Sequence, residues 1–229
     1  MKIKWGALVV DGRNKIGGHV ASKNRSGSYL RTKVTPVNPS SAAQVAARSR
    51  LSSQAQAWRG LTEVQREGWR GAVSDYSKTD IFGDIKNPSG FNLFVQLNSN
   101  LANAGLATLS AAPAPGSVSV FESVSLAAAE GAGTLEATVS PTSAPVGEQI
   151  IVRATAPQSP GKTFVKSEFR QIEVDATVTT GTIDLATAYE AKFGTIGPAG
   201  NKIFCEFIHI NTTTGQVSQA QQAVAIIAA

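Results

Sequence analysis

The chain has 229 residues and a formal net charge of +5, with 42% hydrophobic and 16% charged residues. This length and apolar content predict one or two packed domains and exclude an intrinsically disordered chain. The single cysteine excludes a disulfide within the chain and a zinc site built from cysteines.

The positive charge is concentrated in the first half of the chain. Residues 1–112 contain fifteen Lys/Arg and six Asp/Glu, a net charge of +9, whereas residues 113–229 carry a net charge of −4. Within residues 1–61 the only acid is Asp11. Such a segment favours an acidic partner, either nucleic acid or a negatively charged protein surface. A solvated basic face without a partner is the alternative.

The N-terminal stretch predicts a small β structure. IKWGALVV (3–10) reads as a strand, and the stretches 19–23 and 28–34 predict a hairpin around Arg25-Ser26-Gly27. The stretch 12–34 contains no acid. We interpret it as a basic docking element whose contact residues are Arg13, Lys15, Lys23, Arg25, Arg31 and Lys33.

Two helices with almost no loop between them are predicted next. The first begins at Ser40 or Ser41 after Pro39 and runs to about Leu61. In the second, Thr62 and the glutamine three positions later form a capping box. The expected apolar faces are Ala47, Leu51, Ala55 and Trp58 on the first helix, and Trp69, Ala72, Val73 and Tyr76 on the second. We expect Trp58 and Trp69 to be core residues rather than platforms for nucleic-acid bases.

A third helix is predicted between Ser89, as its N-cap, and Gly105, as its stop signal. Residues 87–105 contain no charged residue. An uncharged helix is either buried in its own module or lies against another chain. A subunit interface is the favoured explanation, with Phe91, Phe94, Val95 and Leu101 as its residues.

The segment APAPG (112–116) is the predicted linker, because its two prolines disfavour a helix and favour an extended spacer. It divides the chain into residues 1–112, a basic anchoring module, and residues 113–229. About seven β-like runs, roughly every 10 residues, follow the linker and are typical of a β-sandwich. The expected fold is therefore an α+β module of β-hairpins and about three helices, followed by an all-β immunoglobulin-like or fibronectin type III-like sandwich. The runs are 117–129, 134–140, 149–156, 162–174, 176–185, 201–211 and 222–227, with a helical turn at 187–193 and a hairpin turn at Thr214-Gly215.

Enzyme signatures are lacking. GRNKIGG (12–18) has no lysine directly after its second glycine position, so it is not a phosphate-binding Walker loop, and SPGK (159–162) fails the same pattern. There is no G-x-S-x-G motif, and the two histidines are far apart in sequence. We expect a protein without catalytic residues, metal ligands or cofactor.

The stretch VNPSSAAQVAARSRLSSQAQAWRGLTEVQREGW (37–69) resembles small phage and prophage structural proteins. Their pattern is a basic glycine-rich β segment, then V-N-P-x-[ST]-x-A-Q-x-x-x-R, then Ala-Trp-x-x-Leu-Thr and Gln-x-x-x-Trp. The resemblance covers roughly residues 5–105 and implies a virion component without a catalytic motif. The matching residues are Val37, Asn38, Pro39, Ser41, Ala43, Gln44, Arg48, Ala57, Trp58, Leu61, Thr62, Gln65 and Trp69.

The leading hypothesis is a non-enzymatic phage virion protein, in head decoration, the head–tail connector or the tail. Its expected partners are other virion proteins and further copies of itself. The competing hypotheses are a nucleic-acid-binding protein that uses residues 12–34, which has only one aromatic residue there, and a bacterial surface or adhesion module. The N-terminus lacks the pattern of a signal peptide and no apolar run is long enough for a membrane span. We therefore expect synthesis in the host cytoplasm, a final location in the virion and no membrane partner.

Overall fold

A computed structural model of the protein describes residues 1–6, 11–130, 133–141, 145–174, 178 and 181–229. Within these residues the chain is a mixed α+β protein with four α-helices, one short 3-10 helix and twelve strands, which confirms the mixed character of the predicted fold. The helices are α1 (Ala42–Gly60), α2 (Glu63–Gly71), α3 (Gly90–Asn103) and α4 (Ala186–Phe193). The strands are β1 (Asn14–Ile16), β2 (His19–Asn24), β3 (Gly27–Thr32), β4 (Lys78–Thr79), β5 (Ile85–Lys86), β6 (Ser123–Ala129), β7 (Thr134–Ser140), β8 (Glu148–Ala154), β9 (Arg170–Val174), β10 (Thr182–Asp184), β11 (Lys202–Asn211) and β12 (Gln221–Ile226).

The predicted basic hairpin is confirmed as β2 and β3, which pair antiparallel within a three-stranded sheet in the order β1-β2-β3. The first residues of the chain lie along the free edge of β3. The backbone N–H of Ile3 donates to Ser28 O, and the N–H of Leu30 donates to Met1 O. The predicted strand 3–10 is not seen in its described part, since residues 3–6 form no strand, and residues 7–10 lie outside the described residues.

Side-chain caps explain where the first two helices begin. Ser41 is the N-cap of α1 and its side chain accepts from the backbone N–H of Gln44. Thr62 and Gln65 form the predicted capping box of α2, with the glutamine side chain accepting from the Thr62 backbone N–H. These caps satisfy amide groups that have no partner inside the helix, so both predicted starts are confirmed.

Helix α3 begins at its predicted N-cap, Ser89, and ends at its predicted stop. The N–H of Leu106 donates to Leu101 O, and Gly105, with φ of 71°, donates to Ala102 O. This pair of bonds is a Schellman motif, which needs a left-handed residue and therefore favours glycine. The helix supplies the centre of a core made of Trp69, Tyr76, Leu93, Phe94 and Leu97, with Trp58, Leu61, Ala72 and Val73 packed around it.

Each of the seven predicted strands after residue 117 overlaps one of the strands β6 to β12, and the predicted helical turn is α4. The predicted strand 117–129 is extended only from Ser123, and residues 176, 177, 179 and 180 of the predicted strand 176–185 lie outside the described residues. They form two antiparallel sheets, in the orders β10-β7-β6 and β12-β11-β8-β9. Both sheets bury side chains in one shared core, which includes Leu135, Ala137, Ile150, Val152 and Phe207. Gly215 has φ of 73° and lies in the predicted last turn.

Two further local predictions differ from the structure. Residues 77–88 were expected to be loop, but they contain the short hairpin β4–β5, closed by the Asp80 carboxylate, which accepts from the backbone N–H groups of Phe82 and Asp84. Only the end of the predicted strand 162–174 is extended, since β9 begins at Arg170. Short strands of this kind depend on their pairing partner, β5 for β4 and β8 for β9, more than on their own composition.

Contacts cross the predicted domain boundary at 112–116. Ala104, at the end of α3, shares a buried cluster with Ile151 and Ile210 of the two-sheet region. In addition, Asn100 Nδ2 donates to Gly215 O at 2.9 Å. Helix α3 therefore lies between the other helices and the sheets, and the division into two independent domains stays a prediction.

Candidate functional site

The six cations predicted to dock all lie on the β1-β2-β3 sheet or beside it, and all six are exposed. Lys15 on β1 and Arg31 on β3 occupy one register row, on either side of Val20. Side chains in a register row lie on the same face of a sheet, so these two cations share a face. Lys33 follows Arg31 at the next position on that face, and its backbone N–H donates to Gly18 O.

The other three cations do not all join that face. Lys23 pairs in register with Ser28, and the alternation of β2 places it opposite to Val20. Arg25 lies in the hairpin turn, at the rim of a pocket that Trp58 and Phe91 also line. Arg13 precedes β1 and its Nε lies 3.2 Å from Asp11 Oδ2. The hairpin is therefore basic on both faces and at its turn, rather than on a single patch.

Carboxylates elsewhere in the chain hold the sheet without neutralising its predicted docking residues. Lys2 Nζ lies 3.4 Å from Asp80 Oδ2, and Lys4 Nζ lies 3.0 Å from Asp84 Oδ2, so the N-terminal residues are tied to the β4–β5 hairpin. In the described part of the chain, five of the six predicted cations have no carboxylate within 4.0 Å. These five are Lys15, Lys23, Arg25, Arg31 and Lys33.

The basic surface continues into the first half of α1. Residues 33–53 are exposed except for the half-buried Gln44, and this range contains no acid. Only the second half of the helix packs on the chain's own core, where the Trp58 ring lies 5.4 Å from that of Phe94. The predicted apolar stripe is therefore divided, because Trp58 contacts the core while Leu51 remains 53% exposed and Ala47 is exposed.

The four residues predicted to form a subunit interface lie between elements of the same chain. Phe94 is 2% exposed and Leu101 is 0% exposed, whereas Phe91 and Val95 are half-buried. Burial within the chain accounts for the absence of charge at the buried positions of α3, since a charged side chain there would lose its hydration without a partner. A contact of these residues with another subunit stays a prediction, and α1 offers more uncovered apolar surface than they do.

The titratable side chains of the described residues form no metal-binding group. No group of three or more His, Cys, Asp or Glu in this part of the chain is placed to hold a metal ion. Burial raises the pKa of the Cys205 thiol to about 12, so this side chain is protonated at neutral pH and unreactive. Among the same residues, no helix is both long enough and apolar enough to cross a bilayer.

One buried polar pair was not predicted from the sequence. His209 is fully buried, its Nδ1 lies 3.3 Å from Glu148 Oε2, and the Phe121 ring lies 4.1 Å from the imidazole ring. Glu148 also accepts from the backbone N–H of Ser119, just after the linker. This pair joins the start of the two-sheet region to its central strand β11, and it has a structural role.

We expect the pair to make folding stability pH-dependent. Burial lowers the pKa of His209, although the Glu148 carboxylate opposes this shift. Below about pH 6.5 the unfolded chain takes up the histidine proton more readily than the folded chain, so the stability present above that pH is lost as the pH falls. Chemical denaturation between about pH 7.5 and pH 5 should show a smaller pH dependence for His209→Gln than for the wild type. Equal pH dependence in both proteins would contradict this assignment.

No protein-family model matches the chain, and no curated protein matches it. Among solved structures, the chain is similar to the crystal structure of a Fn3-like protein from Clostridium thermocellum. The two share 12% sequence identity, the match covers 50% of this chain and 97% of the other, and the TM-score is 0.30.

Proposed function

We propose that this chain is a non-enzymatic structural subunit of a bacteriophage particle, attached through residues 1–112 and presenting residues 113–229. The observation that carries the proposal is the basic segment from Arg13 to Ser53, in which every Lys and Arg is exposed and which contains no acid. Exposed like charges repel one another, and exposed side chains do not contribute to the packing of a core. The basic residues of this segment therefore do not stabilise the isolated chain. Such a segment is expected where a second, acidic surface covers it.

We also propose that the two sheets form an immunoglobulin-like sandwich. The supporting observation is the strand order. Successive strands β6 and β7 pair in one sheet, β8 and β9 pair in the other, β10 returns to the first sheet, and β11 and β12 return to the second. This alternation, with two antiparallel sheets around one core, is the arrangement of that class. In a particle such a unit serves as a spacer or decoration in the head, the head–tail connector or the tail.

The residues that carry the resemblance to phage structural proteins are mostly structural. Asn38 Oδ1 accepts from Arg48 Nη2 at 2.5 Å, and Ser41 caps α1. Trp58 and Trp69 both pack their rings against Phe94. The motif therefore encodes two capped helices and the presentation of the basic surface. This is the role expected of an anchoring module, and it requires no reacting group.

The test is the change of Arg25, Arg31 and Lys33 to alanine in one protein. We expect incorporation into phage particles, measured by mass spectrometry of purified virions, to fall about tenfold or more, since each cation lost removes an attraction to the acidic surface. The circular dichroism spectrum should stay unchanged, because all three side chains are exposed. The matched control is Lys166→Ala, Arg170→Ala and Lys192→Ala, which removes the same charge from exposed positions outside residues 1–112.

Nucleic acid is the competing partner, and the salt dependence of binding separates the two. Binding to DNA through phosphate contacts weakens by orders of magnitude between low and moderate salt. A protein contact depends less on salt, because apolar burial and fixed hydrogen bonds share the free energy. Normal incorporation of the triple variant, together with strongly salt-dependent binding of the wild type to DNA, would overturn the proposal in favour of nucleic acid.

A further inference from the structure

The first half of α1 is an amphipathic helix without a partner in its own chain. The side chains of Ala47 and Leu51 continue the stripe that reaches the core at Trp58, but both are exposed. Because a helix turns about 100° per residue, Arg48 and Arg50 border this stripe on its two sides. A free helical segment of this length is marginal in water, and most of its stability has to come from packing of its apolar face.

The outer face of the β10-β7-β6 sheet has the complementary character. Leu135 and Ala137 point into the core, so Glu136 between them points outward. Asp184 lies directly across from Glu136 in the register, and both are exposed. None of the three strands contains Lys or Arg, and within the described residues neither carboxylate has a cation within 4.0 Å.

Two like charges facing each other across paired strands repel one another. Glu173 lies nearby on β9, the edge strand of the other sheet, where burial and then the Asp184 carboxylate raise its pKa. Around these acids the outward side chains are small, including Ser125, Ala127 and Thr138. The face is therefore shallow and negatively charged, and a helix can approach it closely.

We propose that the free half of α1 packs on the outer face of the β10-β7-β6 sheet of a second copy of this chain. Arg48 and Arg50 would then meet Glu136 and Asp184, and the stripe of Ala47 and Leu51 would cover the small residues between them. Helix on sheet is a standard way of burying both surfaces. The inference rests on the proposed function, because it names the partner of the basic module.

We assign the partner as a second copy for two reasons. The basic face of α1 and the acidic face of the β10-β7-β6 sheet are complementary in charge, and within one chain both of these surfaces stay exposed. Leu51 is 53% exposed and Ala47 is exposed, and Glu136 and Asp184 are exposed as well. The contact joins two different surfaces of the same protein, so it is heterologous. In an open row of copies, one free helix face therefore remains at one end and one free sheet face at the other. Repetition of such a contact closes into a ring or extends into a tube, depending on the rotation between neighbours.

Charge reversal in the purified full-length protein tests the contact directly. We expect Arg48→Glu with Arg50→Glu to weaken self-association about tenfold or more, and Glu136→Lys with Asp184→Lys to do the same, because each places like charges together. Combining all four changes should restore association to near the wild-type level, since the charges are then exchanged between the surfaces. Sedimentation velocity over a concentration series measures the association constant.

Two controls make the outcome specific. Glu67→Lys with Glu190→Lys reverses the same number of exposed acids away from the proposed face and should leave association unchanged. If the lysine variants unfold, Glu136→Gln with Asp184→Asn should still weaken association, since the charges are removed without reversal. A wild-type protein that is monomeric at all concentrations, or a fourfold variant that stays dissociated while folded, would overturn the inference. Particle incorporation is measured separately, so either outcome leaves the proposed function to its own test.

Discussion

Replacing Trp69 by alanine is expected to lower the free energy of unfolding by about 3–5 kcal/mol, because it empties the centre of the helical core. The Trp69 side chain is fully buried and its ring lies edge-on to Phe94, with 5.3 Å between the ring centroids. Its Nε1 donates to Ser110 O at 2.9 Å, which fastens the segment before the linker to α2. The change thus removes apolar contacts and the hydrogen bond to the Ser110 carbonyl. Urea denaturation followed by far-UV circular dichroism measures the loss.

The matched control on the same helix is Val64→Ala. Val64 is 78% exposed, so its truncation should change the free energy of unfolding by no more than about 0.5 kcal/mol. Trp69→Phe should fall between the two variants, because it keeps a ring next to Phe94 but loses the hydrogen bond. A loss below about 1 kcal/mol for Trp69→Ala would show that this core does not support the fold as described.

Replacing Gly215 by alanine is expected to cost about 2–5 kcal/mol, from two separate effects. The residue has φ of 73°, where a side chain crowds its own backbone. A Cβ atom would also lie 2.5 Å from Leu97 O and 3.0 Å from Leu101 Cγ. Since Leu97 O belongs to the backbone of α3, it cannot rotate away. The last hairpin and α3 would have to separate, and the bond from Asn100 to Gly215 O would be lost with them.

Gly200→Ala separates the two effects. Gly200 has φ of 88° but no atom within 4 Å of its Cβ position, so alanine there should cost only the backbone term, about 1–2 kcal/mol. The difference between the two variants then reports the contact between α3 and the last hairpin. If Gly215→Ala and Gly200→Ala lowered the free energy of unfolding equally, in thermal or urea denaturation, α3 and the last hairpin would not be in close contact. The comparison also bears on the domain division, because this contact links the two halves of the chain.

The basic surface of the hairpin and α1 was partly predictable from the sequence. The six cations from Arg13 to Lys33 are all exposed, as a hairpin with alternating polar residues predicts. Their distribution over two faces and a turn follows from the register of β2 and β3, which pairs Lys23 with Ser28 and Val20 with Arg31. The apolar half of α1 was visible as a stripe. Its lack of a partner depends on which part of α1 packs against α3, and this packing of two separate helices is not revealed by any local pattern.

The sequence by itself determined the local structure of this protein. The caps at Ser41, Thr62 and Ser89, the stop at Gly105 and the strands β6 to β12 follow from side-chain hydrogen bonds, left-handed glycine and apolar runs. These interactions join residues only a few positions apart, so their signals lie within a short stretch of chain.

Only the tertiary structure decided which apolar and charged surfaces are buried within the chain and which stay exposed. It buried Phe94 and Leu101 inside the chain, left Leu51 in solvent, and set Asp184 opposite Glu136. Each of these outcomes depends on pairing between segments distant in sequence. That pairing is selected by the fit of whole elements around shared cores, and the composition of any one element does not specify it.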